Sequence, residues 1–392
     1  MLNGLLIVAL RHIGAYLSWL PEYLLHLEAS RVSMESSHVR SKDQAKNSVL
    51  TQSKKAILYY LNTHNSASYS FWTKANISPE IKIESLCDIV YSFYLLGIMN
   101  LIDPRSPVLF ANILADTALS GWECDADRKK LTVHNTAYAL GTLNLLENEG
   151  FGNLYQKAID NRPFKPESIV TMSTKTPRFP AWLSHHNWRV SHWLGGVPSI
   201  LLSVGRSSLA EASAARKLGL EVLANTNNLL DKKTGLIRLY RSRLLQKIFH
   251  RFYALRHDPI LGDLGGVVHI LWLNHVENID YVAQQALYDA SVKEFFRHRP
   301  FMEGTPYCLD FDIVNIVRTA AVGSQISAPV VARANGMLAD IDTYFSHSLS
   351  ENYRLHRLPG ALATMHECAF IVGEDTALFG APIDIIKMAG WL

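Results

Sequence analysis

Apolar and polar positions along the chain fall into two kinds of segment, both with the spacing of a helix. In the first kind apolar residues recur every three or four positions, as Leu218, Val222 and Leu223 do, while charges take the opposite face. That pattern predicts a helix with one buried stripe. It covers 52–62, 107–119, 209–230, 281–298 and 329–347. The second kind is apolar nearly all round, as expected of a helix surrounded by other helices. It covers 86–99, 134–146, 192–204, 263–275, 309–322 and 366–372. Most of these runs are too long for strands and lack alternation of period two. Few Asn-Gly or Gly-Asn hairpin signals separate them. The predicted fold is all-α, with apolar inner helices and amphipathic outer ones.

The links between segments are asymmetric. From an apolar run to the next amphipathic one they are short, as at 100–106 and 205–208, whereas the reverse links span 63–85, 120–133, 160–191 and 231–262. Long loops in a compact domain carry function or are disordered. If inner helices run one way and outer helices the other, the long loops share one rim, the expected working face. Residues 1–46 read as an N-terminal helical extension and linker, and 47–392 as one domain.

Composition narrows the class. A chain of 392 residues with 48% hydrophobic and 19% charged residues can bury a large core and is not a disordered one. Its formal charge of +3 points to no nucleic-acid partner, and four cysteines make no disulfide scaffold. The apolar stretch 5–10 is broken by Arg11 and His12, short of the roughly 20 residues a bilayer span needs. It also lacks the basic start and cleavage site of a signal peptide, so the expected location is cytoplasmic. An N-terminal helix of this kind remains suited to peripheral membrane contact.

Six inner helices alternating with outer ones resemble the six-hairpin α/α toroid superfamily, which includes many glycoside hydrolases and polysaccharide lyases. Asp231-Lys232-Lys233-Thr234-Gly235-Leu236-Ile237 and Asp263-Leu264-Gly265-Gly266 look like its loops and inner-helix starts. The resemblance spans roughly 47–372. It implies an (α/α)6 toroid with a cleft at the N-terminal rim of the inner helices and a carbohydrate-active enzyme, lyase or hydrolase, acting on an oligosaccharide. Related toroids include terpenoid cyclases and protein prenyltransferases, so an isoprenoid-type cyclase or transferase is the alternative. A non-catalytic glycan-binding or scaffold protein is the third.

Polar residues open the inner segments: Asp88, His134 with Asn135, His192, Asp263, Asp310 with Asp312, and His366 with Glu367. An Asp there serves equally well as a helix cap, but imidazoles are weak caps, and three of them suggest a shared pocket. In a lyase, His134, His192 or Tyr253 would take the proton beside a uronic carboxylate while Asn187 and Arg189 stabilise the developing charge. In a hydrolase, two of Asp88, Asp263, Asp312 and Glu367 would flank the glycosidic bond. Trp72, Trp122, Trp182, Trp188 and Trp193 lie in the long loops or at their edges. Trp122, Trp188 and Trp193 are the expected sugar platforms, although loop anchoring explains such residues equally well. Asn187-Trp188 followed by Gly195-Gly196-Val197 resembles a pattern of heparinase-type lyases. Glycine pairs at 195–196 and 265–266 mark a close approach of a neighbouring helix or a ligand.

A basic strip, Arg238, Arg241, Arg243, Lys247, Arg251 and Arg256 interleaved with Phe249, Phe252 and Tyr253, suits an acidic glycan, a diphosphate or an anionic membrane. It equally suits a solvated helix. Arg241 is the substrate-binding candidate within it. No cofactor is expected. The one candidate metal set is Cys308, Asp310 and His366, a zinc-type combination similar to the Asp, Cys and His of protein prenyltransferases, with Cys here preceding Asp. No Gly-rich phosphate loop, serine elbow or His-Glu-x-x-His helix is present.

Overall fold

The computed structural model describes residues 44–123, 128–159, 162–165, 194–237, 259–321, 326–373, 378–379 and 383. Among them the chain forms thirteen α-helices and no strand, as an all-α reading requires. In chain order these are α1 (Gln44–His64), α2 (Ser66–Lys74), α3 (Ile83–Leu95), α4 (Ser106–Ala115), α5 (Val133–Asn148), α6 (Leu154–Ile159) and α7 (Gly196–Val204). They continue as α8 (Ala212–Asn227), α9 (Pro259–Val276), α10 (Gln284–Arg297), α11 (Cys308–Thr319), α12 (Ala328–His347) and α13 (Leu358–Val372).

The six apolar runs became α3, α5, α7, α9, α11 and α13. Each packs on the next, and α13 packs back on α3. Being walled by neighbours on several sides is why they carry apolar residues all round: every residue of α7 is buried, as are twelve consecutive or nearly consecutive positions of α5. The amphipathic helices lie against them. In α12 the buried positions Val330, Ala334, Met337, Ile341 and Phe345 recur at three- and four-residue spacing, and this stripe faces α13 and α1. α8 packs on α7, α10 on α11, and α2 on α3.

Helix ends follow local chemistry. Thr132 caps α5, its hydroxyl accepting from the Asn135 amide at 3.2 Å. Pro359 stands in the first turn of α13, where a missing N–H costs nothing, and Gly373 ends that helix in the left-handed region at φ 78°. Gly360 lets α13 close on α11, since a Cβ there would sit 2.5 Å from the Cα of Cys308. No other residue fits that approach without backbone movement.

Two expectations need correction. The last inner helix begins at Leu358 rather than near His366, because Leu358-Pro359-Gly360-Ala361 reads as a turn although it is the opening of a helix. α2 lies inside the stretch read as the loop 63–85; its serines are poor helix formers, and the buried side chains of Phe71 and Trp72 hold it. α6 is a further short helix after α5, packed on α4 and α5. Of the proposed N-terminal extension, 1–43 lies outside the described residues, and α1 crosses the expected boundary at 46–47 to pack on α12. Among the described residues no helix is long and apolar enough to cross a membrane.

Candidate functional site

Contacts between helix starts show that the inner helices run the same way. Gly196, the first residue of α7, faces Val133, the first of α5, with a Cβ-equivalent distance of 2.9 Å to Val133 Cγ1. Gly360 near the start of α13 faces Cys308 at the start of α11. Gly265 of α9 faces Leu309 and Asp312 of α11. Asp88, His134, Asp263, Asp310 and Asp312, five of the polar residues predicted to share one rim, therefore come from the same end of these helices.

The best-defined group at that end centres on Asp88 of α3. Its side chain is 2% exposed, yet it receives two donors on one oxygen: the Tyr138 hydroxyl of α5 at 2.7 Å and Nδ1 of His356 at 3.0 Å. His356 belongs to the 3₁₀ turn Leu355–Arg357 that leads into α13 and packs on α3. Glu84 stands 3.4 Å from the same ring nitrogen. Burial works against a charged His356 ring, but the hydrogen bond and charge of Asp88, joined by Glu84, outweigh it and raise its pKa. Its ring remains 44% exposed, and Nε2 has no hydrogen-bond partner among the described residues. Burial and the neighbouring charges of Asp88 and Cys87 push the Tyr138 phenol well up, so it stays a neutral donor.

Aromatic rings extend the group. Tyr138 stacks on Tyr91 with ring centres 5.0 Å apart, on His134 at 6.4 Å, and edge-on against His356 at 5.9 Å. His134 is half-buried one turn before Tyr138, on the same helix face. Its charge is felt by His269 of α9, whose pKa falls to about 3, first through burial and then through that neighbour. His269 also hydrogen-bonds the backbone of Gly265 and Gly266, which ties the second glycine pair to a buried imidazole.

Asp312 lies on α11, 4% exposed, with Oδ2 enclosed and, among the described residues, without a hydrogen-bond partner. A Cβ at Gly265 would be 2.9 Å from that oxygen. Burial, reinforced by Asp310, drives its pKa well up. Asp310 itself is a cap: it accepts from the Tyr307 amide at 2.9 Å and the Met302 amide at 2.8 Å. Asp263 lies one turn inside α9 and is buried.

His366 does not belong to this group. It is the ninth residue of α13, and its Nε2–H donates to the carbonyl of Leu95, the last residue of α3, at 2.8 Å. That is the opposite end of the inner helices. Cys308 touches Gly360, six positions earlier on α13 and so about 9 Å up the helix at 1.5 Å per residue. The Cys308, Asp310, His366 set is thus not brought together, and among the described residues no three His, Cys, Asp or Glu side chains could hold a metal ion. Burial pushes the thiols of Cys308, Cys87 and Cys368 up, as expected of packed rather than reactive cysteines.

Trp122 is 6% exposed and packs on Phe164 with ring centres 4.6 Å apart, while Trp72 is fully buried and donates to the Leu86 carbonyl at 2.9 Å. Both anchor loops or helices rather than offering an open face. Asn187, Trp188, Arg189, His192 and Trp193, with Tyr253, Arg241 and the rest of the basic strip, lie outside the described residues. His356, Glu84, Tyr138 and His269 were not among the expected site residues. Pro359 was the available signal for His356, since a proline in a first helical turn places the preceding residues at the rim.

His366 gives a pH prediction. Burial lowers its pKa from 6.5 to about 4, so between those values the unfolded chain takes up a proton that the fold refuses. Stability is then full above the ordinary value and falls as the solution is acidified through it. His269 adds a drop of the same sign. Melting temperature should fall steeply over that window. His366→Gln, which keeps a donor for the Leu95 carbonyl, should flatten the slope; an unchanged slope would place the acid sensitivity elsewhere.

No protein-family model, curated protein or solved structure matches the chain.

Proposed function

We propose that the chain is an (α/α)6 toroid working as a carbohydrate-active enzyme, with an oligosaccharide bound at the N-terminal rim of its inner helices. The toroid reading is supported by the closed cycle of contacts from α3 through α13 and back. The enzymatic reading is carried by one observation: a buried carboxylate, Asp88, holds an imidazole by Nδ1 and leaves Nε2 at an accessible edge. A carboxylate fixes the tautomer and direction of such a ring, the usual arrangement for moving protons. His356 is the acid–base group of the proposal, Asp88 and Tyr138 position it, and His134 lines the approach.

Polar groups buried on the ring helices, Asp88, Asn144, Asp312 and Asn315, favour a polar ligand over the apolar centre that an isoprenoid cyclase would need. The test is incubation with a panel of neutral and uronate-bearing oligosaccharides, products read by mass. Wild type should process at least one, and His356→Ala should lose that turnover. Equal turnover by the variant would reject His356, and a panel left intact by the wild type would reject the carbohydrate reading.

A further inference from the structure

We infer that Asp312 is the proton donor of this site and that the reaction is hydrolysis of a glycosidic bond, an inference that rests on the carbohydrate reading above. Two of the carboxyl groups on the ring helices, Asp88 and Asp312, have opposite surroundings. Asp88 accepts two hydrogen bonds and stands beside an imidazole. Asp312 is 4% exposed, and among the described residues its Oδ2 has no hydrogen-bond partner. The groups around it are Asp310 and Cys308 on its own helix, Tyr307 just before it, and Gly265 across on α9. A charged carboxylate enclosed without a partner is strongly disfavoured, so the group keeps its proton.

The start of α11, which carries Asp312, packs against the start of α13, which His356 precedes. Cys308, one turn before it, packs on Gly360, and Arg357, the residue after His356, donates to Thr305 Oγ1 at 2.6 Å and lies over the Tyr307 ring at 4.8 Å. Gly265 lies against this carboxyl: a Cβ there would be 2.9 Å from Asp312 Oδ2 and 2.8 Å from Leu309 Cδ1, so a larger residue would push these side chains aside. A carboxyl group that burial keeps protonated, Asp312, and an imidazole that can accept a proton, His356, are the components of acid–base hydrolysis. In the step, water adds to the anomeric carbon as the bond from that carbon to the leaving oxygen breaks. Asp312 gives its proton to the leaving oxygen, and neutral His356 takes the proton lost by the water. One water is consumed, two hydroxyl-terminated sugars form, and solvent returns the proton from His356 to Asp312. A β-elimination would consume no water and would leave a double bond in one product.

The test compares wild type with Asp312→Asn on any oligosaccharide that the wild type processes, in oxygen-18 water. Wild type should place the heavy oxygen at the new anomeric end, and the variant should be slower in kcat by about 10²–10⁴. Infrared spectra at neutral pH should show a protonated carboxyl band that the variant lacks. A folded acid with a raised pKa loses stability as pH rises past its ordinary 3.8. The asparagine variant should therefore melt higher than wild type at neutral pH, which separates lost chemistry from lost folding. Unsaturated products, an unchanged kcat or a missing carboxyl band would each overturn the inference while leaving the carbohydrate reading in place. A wild type inert toward every glycan would overturn both.

Discussion

Glu367→Ala is expected to destabilise the fold by about 3–5 kcal/mol, the range for removing one partner of a buried ion pair. Glu367 lies on α13 with its side chain fully enclosed, and its two oxygens take Nε and Nη2 of Arg318 from α11 at 2.5 and 2.9 Å. The pair joins the far ends of two inner helices. Arg318 is itself 16% exposed and lies over the Phe370 ring at 4.7 Å, so without the carboxylate its charge would stay in an apolar seam. His275 cannot share the load, since burial and then the Arg318 charge already hold its pKa down at about 4. Domains are stable by only about 5–15 kcal/mol, so the variant should lose a large part of that. Chemical denaturation measures it. Glu367→Gln, which keeps shape and one acceptor, should fall between the two. A loss under about 1 kcal/mol, the level of an exposed pair, would mean the seam is wetter than its burial indicates.

The inner helices were legible because each is wrapped by others, and only an all-round apolar sequence tolerates that. Their ends were less so. Leu358-Pro359-Gly360-Ala361 opens α13 with residues that in isolation signal a turn. The glycine is required by a neighbour, Cys308, that lies 52 positions away in sequence and touches it only in the fold. Misplacing that end made His366 look like a rim residue and hid His356, which is one. A lone histidine between Arg354 and Arg357 reads as solvated surface. Its partner Asp88 is 268 residues away, a separation across which no local pattern reaches. Asp88, His134 and Asp312 could be picked out as polar residues opening apolar runs. Which of the acids would be caps could not, because Asp310 and Asp312 differ only in the helix face they occupy: one meets free amides, the other a glycine.

Asp88→Asn should lower kcat on a processed oligosaccharide by about 10²–10⁴, nearly the loss expected from removing His356 itself. Asparagine keeps an acceptor for the Tyr138 hydroxyl but loses the charge, and its amide group can present a donor to Nδ1. The imidazole then loses its fixed tautomer, and Nε2 is no longer held as the proton acceptor. The pH profile carries the sharper signature. His356 takes a proton only when neutral, so the acid limb of kcat follows its pKa, which Asp88 raises. Without that carboxylate the opposing effect of burial remains, and the limb should move to lower pH even as the plateau drops. Stability should respond with the opposite emphasis: the ion pair is complete below the ordinary histidine value of 6.5 and fades as pH rises through the raised one. Asp88→Asn should thus cost most in melting temperature on the acid side and least in alkali. A plateau that falls while the acid limb stays in place would assign Asp88 to packing and remove His356 from the chemistry.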